Sequence, residues 1–513
     1  MSFNLKAMKR REFIASAASS MLLPLTVNGF GIKSFEKDSP LVQSLGTTID
    51  ENSDRCLVIV YLNGGNDGLN TVIPLGDYSR YYDLRSNIAI PENKVLPLAG
   101  NLETGFHPSM TGMRDLYNSG KLGIVHSVSY PNPNQSHVRS TDIWMTGVDS
   151  NVYAETGWGA RFLQNKFQGY PANYPNDTMP DPLAVQIGYI DAMLLKGQNQ
   201  PMNISFDNPN EFYRMMGQLG VSPEGDLPCC TAGELINFVR QQQALSIGYS
   251  SQVQNAANAG KNLGEYPQSG TNELSDQLKI IARLIHGGLR SKIYYVELGG
   301  FDTHASQVGN TTTDGLHANL LKKLSDAVAA FQNDLKLQGT ENRVIGMTFS
   351  DFGRRASSNA SRGTDHGVAA PMFVFGTGIK RQNVGTNPDL TNDLTDPDFS
   401  GNRDIKMQVD FRRIYADILR DWFGTPNTIT ESILYHSFTT TSLFSNVIES
   451  VSSGNWADRN TWSAGRRPSS ADYVEIKPGH TVTLGDTITV RNVRIGSGAQ
   501  LSLTGNARVN TTG

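Results

Sequence analysis

The chain is poor in cysteine, has no long apolar run and carries no excess of either charge, and each absence removes a class of protein. Three cysteines in 513 residues, Cys56, Cys229 and Cys230, cannot build a disulfide framework. Two of them are sequence neighbours with neither histidines nor a second cysteine pair close by, so they read as ordinary residues rather than a metal knot. Basic and acidic residues nearly cancel, 44 against 48, for a net charge of −4. No broad field calls for nucleic acid or an anionic membrane, and no nucleic-acid partner is expected. The apolar stretch near the N-terminus falls short of the roughly 20 residues that span a bilayer.

That N-terminal stretch reads instead as an address. Lys9-Arg10-Arg11-Glu12-Phe13-Ile14 is followed by a mildly apolar, alanine- and serine-rich segment to Val27, the pattern of a twin-arginine signal. The reading assigns 1–30 to the signal and 31–54 to a polar linker, with the twin-arginine translocase as a transit partner and the periplasm or cell surface as destination. No clean small-x-small cleavage site stands out, which leaves an uncleaved signal anchor open. The route carries folded proteins, so a metal can be loaded before export.

At 513 residues the chain exceeds the roughly 250–300 residues that one core fills well. Short continuous apolar runs, the mark of strands buried on both faces, occur at Cys56 to Leu62, Leu122 to Val128, Ile293 to Leu298, Val344 to Phe349 and Met372 to Phe375. Helix-spaced apolar residues lie between them: Leu278, Ile281, Ala282, Ile285 and Leu289, then Leu320, Leu321, Leu324, Val328, Phe331 and Leu335. Alternation of the two predicts a layered α/β sheet over 55–442. After a linker at 443–453 the pattern changes to short β runs broken by Pro-Gly, Leu-Gly-Asp and Gly-Ser-Gly turns. The stretch 454–513 therefore reads as a small all-β module, and its opening phrase, GNWADRNTWSAGRRPSSADYVEIKPGHTVTL, resembles the first coil of β-helical modules on secreted bacterial proteins. Trp456 and Trp462 read as its buried anchors rather than as platforms for sugar rings.

Polar chemistry collects where strands end. The first strand runs into Asn63-Gly64-Gly65-Asn66-Asp67-Gly68, the third into Gly299-Gly300-Phe301-Asp302-Thr303-His304, and the fourth into Ser350-Asp351-Phe352-Gly353-Arg354. Gly363-Thr364-Asp365-His366-Gly367 precedes the fifth. Ligands of open parallel sheets bind at the carboxyl edge, so these loops are expected to converge. Converging carboxylates and neutral imidazoles call for a cation, although an Asp beside Gly is also an ordinary turn cap. Asp302, His304 and His366 together favour a ligand set. Ser136, behind Pro131-Asn132-Pro133, sits where a loop enters a helix, a position that suits an anion and equally suits a plain N-cap. His137 reads as a neighbour of the site, a surface residue or a base.

Five ordered motifs, NGGNDGLN, NQSHVRSTDIWMTG, GGFDTH, FSDFGRR and GTDHG, resemble the bacterial family called domain of unknown function 1501, within the alkaline phosphatase and sulfatase superfamily. The resemblance implies an alkaline phosphatase-like layered sheet and hydrolysis of phosphate or sulfate esters by two metals. It implies Asp67, Asp302, His304, Asp351 and His366 as metal ligands and Ser136 as nucleophile. Arg139, one turn along, is the candidate anion clamp, with a surface role the competing reading. Zn²⁺ or Mn²⁺ suits Asp302, His304 and His366, and Mg²⁺, Ca²⁺ or Mn²⁺ suits a second, oxygen-rich site. Phe352 departs from the pattern where the superfamily places histidine, which weakens that second site. The implied partner is a small anionic ester, and the alternative is a catalytically degenerate member serving as an exported binding or assembly protein.

Overall fold

The structure, a computed structural model, describes residues 26–27, 30–31, 54–188, 192–198, 200–218, 230–392, 394–396, 403–444, 447–463, 466–469, 472–490, 492–496 and 498–511. The twin-arginine pair, nearly all of the segment 1–54 and Cys229 lie outside the described residues.

The first apolar run, buried from Cys56 to Leu62, forms the central strand β1 (Cys56–Asn63). In chain order the same sheet contains β2 (Leu122–Ser129), β3 (Ala184–Ile187), β4 (Asn203–Phe206), β5 (Ile293–Gly299), β6 (Val344–Ser350), β7 (Ala370–Phe375), β8 (Asn383–Val384) and β9 (Val409–Asp410). The spatial order is β4-β3-β5-β1-β6-β7-β2-β8, with β9 also pairing to β2. β5 and β6 flank β1 in parallel, Ile293 and Ile345 both opposite Leu57, so β1 has no polar edge and no polar face. This is why its run is continuous rather than alternating.

All five expected strands are present, and the α/β class stands, but the sheet is mixed. β7 runs antiparallel to both of its neighbours, β6 and β2. Its amino end therefore lies at the edge where the parallel strands have their carboxyl ends. That reversal brings the Gly363–Gly367 loop, which precedes its strand, to the same edge as loops that follow theirs. β3 and β4 were not anticipated. They are only four residues each, too short for a period to show.

Three helices matter for the site and its support: α1 (His137–Thr146), α2 (Glu273–His286) and α3 (Leu316–Leu337). α1 stops at Gly147, whose left-handed backbone (φ 69°) returns its N–H to the Ile143 carbonyl. α2 starts at Asn272, whose side chain accepts from the Ser275 amide, and it buries Leu278, Ile281, Ala282 and Ile285 against the sheet and α3.

Among the described residues the C-terminal strands pair in parallel. Val447–Glu449, Tyr473–Ile476 and Asn492–Ile495 make one stack, Gly454–Asn455, Thr481–Leu484 and Gln500–Leu503 a second, and Ile488–Val490 with Val509–Thr511 a third. Successive coils stacking this way are β-helix-like. The interior holds Ile448, Trp456, Trp462, Val474, Ile476, Val482, Leu484, Ile488 and Val490. Both tryptophans are inside, and Trp462 Nε1 donates to the Trp456 carbonyl at 2.8 Å. The stretch 443–453, expected as linker, is structured at both described ends: Leu443 packs in the main core and Ile448 in that of the coils. Tyr473 also donates its hydroxyl to Asp421 at 2.7 Å, a bond between the coils and the α/β domain.

Candidate active site

Close backbone approach at the ends of β1, β5 and β6 explains the glycine pair after the first strand. A Cβ on Gly64 (φ 121°) would lie 2.4 Å from the Asp302 amide nitrogen, and one on Gly65 (φ 82°) 2.7 Å from the Phe352 ring. No side chain fits either place, and both backbones are left-handed. The tight turn lets the loops after three strands meet the loop before β7 and the start of α1. Tyr130 and Ser140 share a 2.8 Å hydrogen bond, and the Ser140 hydroxyl donates to the Asp351 carbonyl, which fixes α1 on the β6 loop.

At the meeting point stand His137, Asp302 and His366, whose ligand-capable atoms lie within 4.8 Å of one another. Each imidazole has one nitrogen tied. His366 Nδ1 is 2.8 Å from the Gln135 carbonyl, and His137 Nδ1 is 2.6 Å from Asp351 Oδ2. A carbonyl or carboxylate only accepts, so each ring carries a proton on Nδ1, and the neutral tautomer of each has its lone pair on Nε2. Both Nε2 atoms are buried without a hydrogen-bond partner, and each lies 3.6 Å from Asp302 Oδ1. Burial, partly opposed by the Gln135 bond, depresses the His366 pKa and favours the neutral form that a ligand needs. Two imidazole lone pairs facing one carboxylate suit a cation of the Zn²⁺ or Mn²⁺ type, and the carboxylate–His137 pair is a usual support of such a ligand.

The expected residues divide between this cluster and other roles. Asp302 and His366 are in it. His304 instead places Nδ1 2.8 Å from Asp302 Oδ1, on the outer side of the cluster with its ring 4.6 Å from that of His366. The third member is His137, which sequence reasoning did not select as a ligand. Asp351 is fully buried, with one carboxylate oxygen accepting from the Gly64 amide at 3.2 Å and the other holding His137, so both its oxygens are engaged within the chain. Phe352 forms a wall, its ring centroid 4.8 Å from that of His137 and 4.4 Å from that of His366.

Two further expected residues are engaged elsewhere by the contacts. Asp67 is turned into a buried ion pair, both carboxylate oxygens 2.8 Å from Arg85 Nη1. Burial alone would raise its pKa, and the adjoining guanidinium overrides that and holds it low. Arg139 is spent on Asp142 at 2.6 Å, on the Ser150 and Val152 carbonyls and on the Tyr153 ring, which leaves no fork for an anion. Ser136 is exposed at the N-cap of α1 and makes no capping bond with its hydroxyl. Its neighbours on either side, Gln135 and His137, both touch the cluster.

Residues 237–434 match the family described as "Protein of unknown function (DUF1501)". The matched region carries Asp302, His304, Asp351 and His366, whereas Asp67, Ser136 and His137 precede it. No curated protein matches the chain. Among solved structures it is similar to Ps i-CgsB in complex with k-i-k-neocarrahexaose (10% identity, 76% of this chain and 75% of that one, TM-score 0.38). It is also similar to the PsFucS1 sulfatase from Pseudoalteromonas sp. (11% identity, 79% and 75%, TM-score 0.33). A third is a protein in the alkaline phosphatase superfamily from Vibrio parahaemolyticus (11% identity, 65% and 62%, TM-score 0.30). Among the described residues no helix is long and apolar enough to cross a membrane.

Proposed function

We propose that the protein is an exported, metal-dependent hydrolase of small phosphate or sulfate esters. The observation that carries the reading is the pair of unpartnered Nε2 lone pairs on His137 and His366 aimed at Asp302. These three residues would hold one divalent ion, which when bound supplies Lewis-acid stabilisation of charge on a transferring phosphoryl or sulfuryl group. The chain supplies the rest. Ser136 is the nucleophile: its hydroxyl is uncommitted, and the ten-residue helix α1 behind it offers free first-turn amides and a positive dipole end to an anionic group. Asp351 keeps the His137 proton on Nδ1, and Phe352 excludes water from the inner face of both rings.

One set of contacts favours a second reading, a degenerate member that binds without turnover. Asp67 is neutralised by Arg85, and Arg139 is diverted from the site. Metal content of the purified protein and a panel of phosphate and sulfate esters separate the two. Hydrolysis lost in Ser136→Ala with the ion retained, and ion lost in His366→Ala with the fold retained, is the expected pattern. Metal without hydrolysis of any ester favours the binding protein, and metal-free wild type refutes the metallohydrolase reading. Export follows from the paired arginines: Arg10→Lys with Arg11→Lys should leave the protein in the cytoplasm, and unchanged delivery on fractionation would refute the twin-arginine route.

A further inference from the structure

Superfamily resemblance implies two ions, and the residues around Asp67 do not fit the second. A ligand carboxylate needs a lone pair open to the ion, but Asp67 is 1% exposed and its oxygens face Arg85 Nη1 (2.8 Å to each) and Gln307 Nε2 (2.6 Å to Oδ2). The orientation of Gln307 is itself fixed, because its Oε1 accepts from the Thr303 and Thr364 hydroxyls at 3.0 and 2.9 Å. Arg85 is locked from behind by the Arg355 and Ala356 carbonyls, which take Nε and Nη2 at 2.7–3.0 Å. Neither partner can swing away without leaving buried donors unpaired.

A second guanidinium repeats the device at the front. Arg354, 1% exposed, donates to Asp302 Oδ1 at 2.6 Å and to the carbonyls of Gly64, Gly65, Phe301 and Thr364. Of the three site carboxylates, Asp67, Asp302 and Asp351, two thus have a fixed arginine partner. What remains without an arginine is Asp351, which lies against the His137 ring. One divalent ion makes that set positive, as an anionic ester requires, whereas a second ion would have to displace a buried guanidinium or face it as a like charge.

We infer that the site takes a single divalent ion, because the chain's own guanidiniums, Arg85 on Asp67 and Arg354 on Asp302, supply the charge that a second ion would bring. The inference rests on the metal reading of His137, Asp302 and His366. The experiment is ion counting on the full chain by native mass spectrometry, with Zn²⁺ and Mn²⁺ affinities by calorimetry, on wild type, Asp302→Asn and Asp67→Asn. Asp67→Asn keeps an oxygen for Arg85. The double variant Asp67→Asn with Arg85→Gln, which removes both charges at once, stands in if the single variant does not fold. One ion per wild-type chain, loss of at least a hundredfold in affinity in Asp302→Asn, and a change of less than threefold in the Asp67 variant are expected. Two ions in wild type, or a tenfold or greater loss in the Asp67 variant, would overturn the single-ion inference while leaving the metal reading intact. No ion in wild type overturns the metal reading and this inference with it.

Discussion

Replacing Arg354 by lysine keeps the charge but should break the joint that holds the site together. The guanidinium reaches Gly65 O at 2.8 Å through Nε, Thr364 O at 2.9 Å through Nη1, and Phe301 O at 3.2 Å, Asp302 Oδ1 at 2.6 Å and the Gly64 carbonyl through Nη2. These acceptors sit on the turn after β1, the loop after β5 and the loop before β7, so one side chain fastens three segments to the β6 loop that carries it. An ammonium offers three protons from one point and cannot reach acceptors arrayed around a planar fork. At least two buried carbonyls lose their donor, at about 1–3 kcal/mol each, so Arg354→Lys should cost about 2–6 kcal/mol. Urea unfolding reads that as a lower midpoint at unchanged slope. Hydrogen exchange gives the sharper test. The Gly64, Phe301 and Thr364 amides, bonded to Asp351, Asn63 and Thr303, should lose protection together. A loss under about 0.5 kcal/mol, beyond which surface substitutions rarely fall, or loosening confined to one loop, would refute the shared joint.

Acid should destabilise the protein well above the carboxylate range. Burial pushes the His107 pKa down to about 3 and those of His126 and His317 to about 4. The unfolded chain therefore binds more protons, and stability present above about pH 6.5 should be lost as pH falls toward 4. Thermal melts from pH 7 to 4 should show that fall, and a flat profile would mean these rings are charged or solvated in the fold. Asp351→Asn weakens the acceptor that fixes the His137 tautomer and should reduce ion affinity about 10–100-fold; an unchanged affinity by calorimetry would deny Asp351 that role. Trp462→Ala empties the interior of the C-terminal coils, at about 3–5 kcal/mol. Limited proteolysis should then cut within 447–511 and spare the α/β domain, and resistance equal to wild type would refute the packing argument.

The sequence carried the strands of the sheet centre because burial on both faces writes itself as a continuous apolar run, and it carried Asp302 and His366 because glycine-rich turns after or before such runs are rare enough to notice. Direction was not written. Nothing in Ala370–Phe375 distinguishes an antiparallel strand from a parallel one, yet the reversal of β7 decides that His366 reaches the edge occupied by Asp302. His137 was hidden for a related reason. It is one residue past the expected nucleophile, and only the seating of α1 on the Asp351 carbonyl turns its ring inward. Asp67 looked like a ligand because its turn matches those of the other loops. Its role is set by Arg85, 18 residues away, in Tyr78–Arg85, a helix with a weak apolar pattern that buries Tyr81 and, one turn on, Arg85, although a basic residue in the last turn reads as exposed. Motif residues announce that a charge must be balanced, whereas the group that balances it is chosen by packing between segments far apart in sequence. A ligand list carried over from motifs is therefore most exposed to error at buried carboxylates. There, an arginine and a metal ion satisfy the same electrostatic demand, and only the ion leaves a position open to substrate.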